Sequence, residues 1–299
     1  MEDVSVVDYT IYVLAPQVLH GLVWGIGIAL IALGLTIVFG MLDVVNFAHG
    51  ELYMLGAFFG YVVFSVTHNF WIALGVSVVT VGLFGVIVEV VMIKPLFGRD
   101  PLFHLLLTFG LGMALREVAR LIWGGLAKSV PVPVEGSVDM LGMIYPTYRL
   151  VVLGIGGLLI IGVLYLFNRT ELGSVIRASA HDHEMASALG INVGRVYTLI
   201  FAMGASLAAM AGVLLSPILF VYPNMGVDAI LRAFIVVIVG GMGSVLGAVV
   251  AALIIAEVES VFALWVSPTW AEIIVFAALI LSMVLKPGGL FGKTGEREG

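Results

Sequence analysis

The sequence predicts an all-α polytopic membrane protein with about eight full transmembrane helices plus a short broken or re-entrant segment. Three observations carry this. Of 299 residues, 62% are hydrophobic and 11% charged, whereas a soluble domain carries roughly 25% charged residues. Mean hydropathy is +1.19, more apolar surface than a water-soluble globule can hide, so a soluble enzyme is excluded. The apolar runs are continuous, near the roughly 20 residues a crossing needs, and lack the alternation of a membrane β-barrel. The 37 glycines fit close helix packing in lipid. No stretch is long and polar enough for a soluble domain, so residues 1–299 read as one transmembrane domain. Cysteine is absent, which removes disulfides, thiol catalysis and thiolate metal sites. The net charge of -6 is scattered and points to no nucleic acid.

The elements follow in order. Residues 1–8 hold Glu2, Asp3 and Asp8 and no base, and the first Lys or Arg is Lys94. A cleavable leader opens with a basic region, so the first apolar stretch reads as a permanent span. Full spans fall at 18–39, 50–67, 70–93, 102–123, 149–168, 197–221, 244–265 and 271–286. An apolar piece at 229–239 precedes a glycine cluster. At ~1.5 Å rise per residue it is too short to cross alone, and it reads as half of a broken helix.

Orientation follows the placement of Lys and Arg. With the N-terminus outside, Lys94, Arg99, Arg169, Arg177, Arg195, Lys286, Lys293 and Arg297 fall in the cytosol. Arg116, Arg120, Lys128 and Arg149 fall outside, and Arg232 is assigned to neither side. The excess inside favours an outer N-terminus and a cytoplasmic C-terminus. Glu117 is placed to pair with Arg120 at i,i+3. On this topology 124–148, with Pro131, Pro133, Glu135, Asp139 and Pro146, is an outer loop, and the charged stretch 169–195 is cytosolic.

A weak internal repeat is visible. Leu55-Gly56-Ala57 is followed about forty residues on by Lys94-Pro95-Leu96-Phe97-Gly98. Leu246-Gly247-Ala248 is followed at nearly the same interval by Lys286-Pro287 and Leu290-Phe291-Gly292. A helix-breaking cluster precedes each, Asn46 to Gly50 in one half and Gly240-Gly241-Met242-Gly243 in the other. Both copies end on the same side, which describes a parallel repeat with the pathway between halves.

Polar groups at membrane depth are costly and face a cavity or each other. Asp43, Asn46, His49 and Glu51 lie between two spans, bracketed by Gly40 and Gly50. One reading is a cytosolic hairpin with Asp43 and Asn46 capping the next helix. The favoured one is that Asn46, His49, Gly50 and Glu51, with Gly240, Gly241 and Gly243, line or gate a pathway. Glu89, Glu257, Glu259 and Glu272 also lie in or near spans. Glu257 and Glu259 cannot share a helix face, and no base or nucleophile is spaced to work with them. They read as interfacial groups or partners of neighbouring helices. His181-Asp182-His183-Glu184 lacks metal-ligand spacing and reads as solvated loop. Gly288 to Thr294 imitates a phosphate loop, but Pro287 stands where the Walker pattern needs Gly. No cofactor or metal site is expected in this chain, and no catalytic arrangement is present.

Asn46-Phe47-Ala48-His49-Gly50-Glu51, followed by Tyr53-Met54-Leu55-Gly56-Ala57, resembles the permeases of branched-chain amino acid ABC importers of the LivH/LivM kind, the LivH side fitting best. Lys286-Pro287 with Gly289-Leu290-Phe291-Gly292 is similar to that family's C-terminal motif. Glu184-Met185-Ala186 and Gly190 are similar to its Glu-Ala-Ala-x-x-x-Gly coupling motif, with Met185 a departure. The resemblance covers nearly the whole chain. It implies a multi-pass subunit of a bacterial or archaeal plasma (inner) membrane importer of Leu, Ile or Val. Its partners would be a LivM-like second permease subunit, two cytosolic ATPases that hydrolyse ATP, and an extracytoplasmic substrate-binding protein. Glu184, Ala186 and Gly190 would then dock on an ATPase. Urea and amide permeases share much of the pattern, but Phe47 stands where they tend to carry Met. A secondary transporter or channel would instead work through Glu89, Glu257 or Glu272.

Overall fold

The computed structural model describes residues 10–42, 44–140, 143–286 and 288–292. Asp43, Pro287, Lys293, Thr294 and Arg297 lie outside the described residues. A π-helical turn, Thr10–Leu14, leads into α1 (Ala15–Leu42). Then come α2 (His49–Thr67), α3 (Phe70–Val88) and α4 (Pro101–Trp123). A hairpin of β1 (Ser137–Met140) and β2 (Met143–Pro146) follows, then α5 (Thr147–Arg169). Two short helices, α6 (Glu171–His181) and α7 (His183–Ala188), precede α8 (Val193–Leu215). The chain closes with α9 (Met225–Gly240), α10 (Val245–Phe262) and α11 (Pro268–Leu285).

Local chemistry sets the helix starts. Asn69 accepts from Trp71 N at 3.0 Å, Asp100 from Leu102 N at 2.9 Å, and Ser244 from Gly247 N at 3.1 Å. Each satisfies an amide that a helix N-terminus leaves without a partner. The expected spans are all helical, and among the described residues six helices are long and apolar enough to cross a membrane. The expected span 197–221 instead occupies Val193–Leu215. Pro217 cannot continue a helix, and Ser216 turns the chain by donating to Val213 O at 2.8 Å.

α1 is the central helix and packs against α10, α8, α9 and α5. Its deepest contact is with α8, where a Cβ on Gly34 would meet Gly204 O at 2.6 Å. Only glycine permits that approach, the small-residue packing that membrane helices use in place of a hydrophobic drive. α8 also packs on α2 and α3, so α1 and α8 form the inner pair.

The contacts fix the helix directions. α1 runs against α8 and α10, since Gly27 meets Leu215, Gly34 meets Gly204, and Gly25 meets Ala256. α2 runs with α8, since Gly56 meets Ala209 and Gly60 meets Val213. The triplets α1–α3 and α9–α11 therefore run in the same sense, as a parallel repeat requires.

The piece at 229–239 lies within α9, a helix of 16 residues that falls short of the roughly 20 a crossing needs and is ended by Gly241 at φ 102. A second interruption, which the spans read from the sequence did not include, lies between α1 and α2. Residues 44–48 are non-helical, with Val44, Asn46 and Ala48 buried. His49, the first residue of α2, bonds to Ile31 O, eleven residues back from the end of α1. At 1.5 Å per residue, α2 starts roughly 16 Å inside the bundle. Helix resumes at His49 after the non-helical stretch 44–48.

The stretch 124–148 holds the hairpin, which the sequence reading did not foresee. Tyr145 is buried against His20 of α1, ring centroids 5.5 Å apart. Tyr148 donates to Leu214 O at 2.7 Å. The loop thus covers the bundle end where α1 begins and α8 stops.

Candidate functional site

The re-entrant stretch is held by side chains of α2 and α4 and by a backbone carbonyl of α1. Asn46 Oδ1 accepts from Ala48 N at 3.1 Å, closing the turn that launches α2. Asn46 therefore caps this turn and not the helix, whose N-cap Ala48 has no side-chain bond. Thr108 of α4 donates to Val45 O and accepts from Phe47 N, both at 3.2 Å. Those bonds answer the demand that buried backbone polar groups find partners. His49 Nε2 lies 3.1 Å from Ile31 O. A carbonyl only accepts, so Nε2 carries the proton. Glu51 Oε1 accepts from Arg116 Nε at 3.1 Å and Nη2 at 2.9 Å. The Glu51 side chain is 3% exposed.

Arg116 is thus no outer-surface charge, as the orientation count took it to be. It lies within α4 and is consumed by Glu51. Arg120 does pair with Glu117, at 3.5 Å. The link to Glu51 was missed because nothing local joins positions 51 and 116. The available signal was general: a guanidinium and a carboxylate at membrane depth each need a partner.

Gly50 seats α2 against α9. A Cβ there would collide with Gly226 O, and one on Gly226 would lie 2.5 Å from Glu51 Oε2. On the far side of this junction lies a cavity of ≈ 640 Å³. Trp24, Ile28 and Ile31 of α1 and Tyr53 of α2 line it, with Asp228 and Arg232 of α9 and Glu272 of α11. His49 bonds the carbonyl of Ile31, so the buried turn is the wall behind the cavity. None of Asn46, His49, Gly50 or Glu51 faces the cavity itself.

Nor do Gly240, Gly241 and Gly243, which sit at the opposite end of the bundle. Gly240 abuts Gly247, and Gly243 abuts Gly40. A Cβ on Gly241 would meet Gly292 N at 2.5 Å. Leu290 N and Phe291 N donate to Val239 O and Gly240 O, at 2.8 and 3.1 Å. The C-terminal Gly-Leu-Phe-Gly turn is thus a clasp on the end of α9.

The cavity carboxylates have a base that sequence spacing did not reveal. Arg232 Nη1 contacts both oxygens of Glu259, at 2.7 and 2.5 Å, and Nη2 contacts Glu272 Oε1 at 2.6 Å. Its guanidinium lies 5.6 Å from the Trp24 ring centroid, a cation–π distance. Asp228 accepts from Tyr222 Oη at 2.7 Å. Glu257 faces Gly21 instead, so it and Glu259 do point apart. Glu89 is buried and accepts from Thr198 Oγ1 at 2.8 Å.

In 169–195, α6 folds back on α5. Asp182 spends a carboxylate oxygen on Met185 N at 2.8 Å. Ala186 is buried, whereas Glu184 is exposed and Met185 and Leu189 are 58% and 76% exposed. Gly190 takes φ 88, a left-handed conformation that glycine adopts without strain.

An apolar helical bundle around a cavity lined by aliphatic residues and a few paired charges defines a polytopic membrane permease. The sequence profile described as "Branched-chain amino acid transport system / permease component" matches residues 17–283, and the chain belongs to that family. It is 30% identical over 298 residues to the high-affinity branched-chain amino acid transport system permease protein BraD of Pseudomonas aeruginosa, covering 95% of this chain and 97% of that one. It is 31% identical over 294 residues to LivH of Escherichia coli, a permease protein of the same description, covering 93% and 95%. A probable LivH permease of Methanocaldococcus jannaschii is 26% identical over 286 residues, covering 89% and 88%.

Proposed function

We propose that this chain is one of two permease subunits of an ATP-driven importer of leucine, isoleucine and valine. It would form half of an alternating-access pathway with a LivM-like subunit. Two cytosolic ATPases hydrolyse the ATP, and an extracytoplasmic binding protein delivers the amino acid. The chain holds no nucleotide site of its own. The observation that carries this reading is the family match across nearly the whole chain. The cavity supports it, since an aliphatic lining with separate acidic and basic groups suits a zwitterion better than neutral urea.

The N-terminus lies outside and the C-terminus in the cytoplasm. Supporting this, Lys94, Arg99, Arg169, Arg177, Arg195 and Lys286 all gather at the end where α1 stops and α8 begins, as the positive-inside tendency asks. Residues 183–190 then face the ATPases, with Glu184, Met185 and Leu189 as the contact surface and Gly190 as the turn that presents them. Asn46, His49 and Glu51 brace the pathway wall, and Gly240, Gly241 and Gly243 form its cytoplasmic seam.

The test is a detergent pull-down of the tagged chain from native membranes, read by mass spectrometry. Co-purification of two ATPases and a second permease supports the reading. A chain that emerges alone and moves leucine without ATP overturns it.

A further inference from the structure

We propose that the cavity beside α9 is a binding site for an aliphatic α-amino acid, with Asp228 holding the ammonium and Arg232 the carboxylate, and that the bound carboxylate takes Arg232 from Glu272. The proposal deepens the amino-acid reading above and rests on it.

Asp228 and Arg232 both line the cavity and stand at i and i+4 on α9. Such positions lie about 5–6 Å apart at Cβ on one helix face. An α-amino acid carries its two charges on one carbon, so it needs opposite charges about one helical turn apart. The walls beyond them, Trp24, Ile28, Ile31, Val236 and Phe276, suit an aliphatic side chain. The volume of ≈ 640 Å³ lies within the ordinary range of small-molecule pockets.

The charges are unbalanced in a way that a zwitterion corrects. Among the described residues, Asp228, Glu259 and Glu272 are set against Arg232 alone. The ammonium would neutralise Asp228, and the carboxylate would substitute for one partner of Arg232. The two partners differ. Glu259 presents both oxygens and its side chain is 16% exposed. Glu272 makes one contact and is 50% exposed. Exposed ion pairs contribute little, so Glu272 is the replaceable one. Trp24 and Glu259 hold the guanidinium in place during the exchange. Glu272 lies near the start of α11, a helix that touches the bundle through α10 and α9. Ligand arrival therefore releases the start of α11 from α9.

The test is equilibrium binding to the purified full chain in lipid nanodiscs. The probes are L-leucine, isoamylamine (no carboxylate) and 4-methylpentanoate (no ammonium). Leucine is expected to bind at least tenfold more tightly than either analogue. Asp228→Asn should weaken leucine at least tenfold and leave 4-methylpentanoate unchanged, and Arg232→Lys should weaken both acids. Glu272→Gln should tighten leucine severalfold, a gain that a merely structural role would not produce. Asp228 and Glu272 are exposed, so Asp228→Asn and Glu272→Gln keep their fold, and unchanged melting checks this for all three variants.

No leucine binding by the wild type, or equal leucine binding by wild type, Asp228→Asn and Arg232→Lys, overturns the site. Unchanged or weaker leucine binding in Glu272→Gln overturns the exchange. Leucine uptake by cells with and without the chain separates the two readings. If uptake requires the chain but the variants bind normally, only the site is wrong. If uptake does not require it, the amino-acid reading itself falls.

Discussion

Glu51 and Arg116 stand 65 positions apart and meet in an ion pair of 2.9 Å between α2 and α4. α4 also reaches the bundle through Thr108 and through Trp123, which stacks on Phe58 at 4.6 Å, and Glu51 presses on Gly226 at the start of α9. One carboxylate thus ties a peripheral helix to the wall of the cavity.

Breaking this pair should be severe. Arg116→Ala leaves Glu51 buried without a counter-charge, which costs about 3–5 kcal/mol when one partner of a buried pair is removed. Thermal melting of the purified protein should show a large drop. The double variant Glu51→Gln, Arg116→Met should melt above the Arg116→Ala single variant, because no charge is then stranded. A double variant no better than the single would refute the pairing.

Close backbone contact should make glycine substitutions sharply position-dependent. Gly34→Ala places a methyl 2.6 Å from Gly204 O and 2.8 Å from the His49 ring, whereas Gly75→Ala meets nothing within 4 Å. The first should lose about 1–3 kcal/mol or more through overpacking. The second should be neutral or gain a few tenths through helix propensity. Melting and size-exclusion profiles in detergent compare them directly, and equal behaviour would contradict the packing.

The cysteine-free sequence lends itself to single-cysteine labelling. Gly125, in the connection after α4, and Ser174, on α6, are both exposed and lie at opposite ends of the bundle, so Gly125→Cys and Ser174→Cys report on them. With an outer N-terminus, an impermeant maleimide should label position 125 in intact cells, and position 174 only after permeabilisation. The reverse pattern would invert the orientation.

Gly190→Val forces a β-branched residue into a left-handed backbone conformation, at a cost of about 1–3 kcal/mol. A Cβ at Gly190 meets nothing within 4 Å, so the strain falls on the turn and not on the core. ATP-driven leucine uptake should fall at least tenfold while the melting temperature stays close to wild type. Full uptake in this variant would remove 183–190 from the coupling path.

Much of the helix plan was legible because an apolar run near bilayer length has few alternatives in lipid. The ends were legible where local chemistry marks them, as at Asn69, Asp100 and Ser244. The clustering of Asn46, His49 and Glu51 between Gly40 and Gly50 flagged a non-helical polar turn, but not that it re-enters the bundle, because its depth depends on the distant carbonyl of Ile31. What stayed hidden was non-local. Arg232 gives no sequence sign that it gathers Glu259 and Glu272, 27 and 40 positions away. The hairpin at 137–146 was obscured because, among its described residues, only Met143 and Tyr145 turn inward, too short a period to stand out beside long spans.

The glycine contacts of the inner helices also limit how the molecule can move. Where the α1 backbone meets α8 at Gly34 and Gly204, and α2 meets α9 at Gly50 and Gly226, neither partner can slide or rotate without collision. These four helices must travel as one block. No such backbone seam holds α4, where a Cβ on Gly110 meets nothing within 4 Å and one on Gly112 comes no nearer than 3.6 Å, or α11, which contains no glycine.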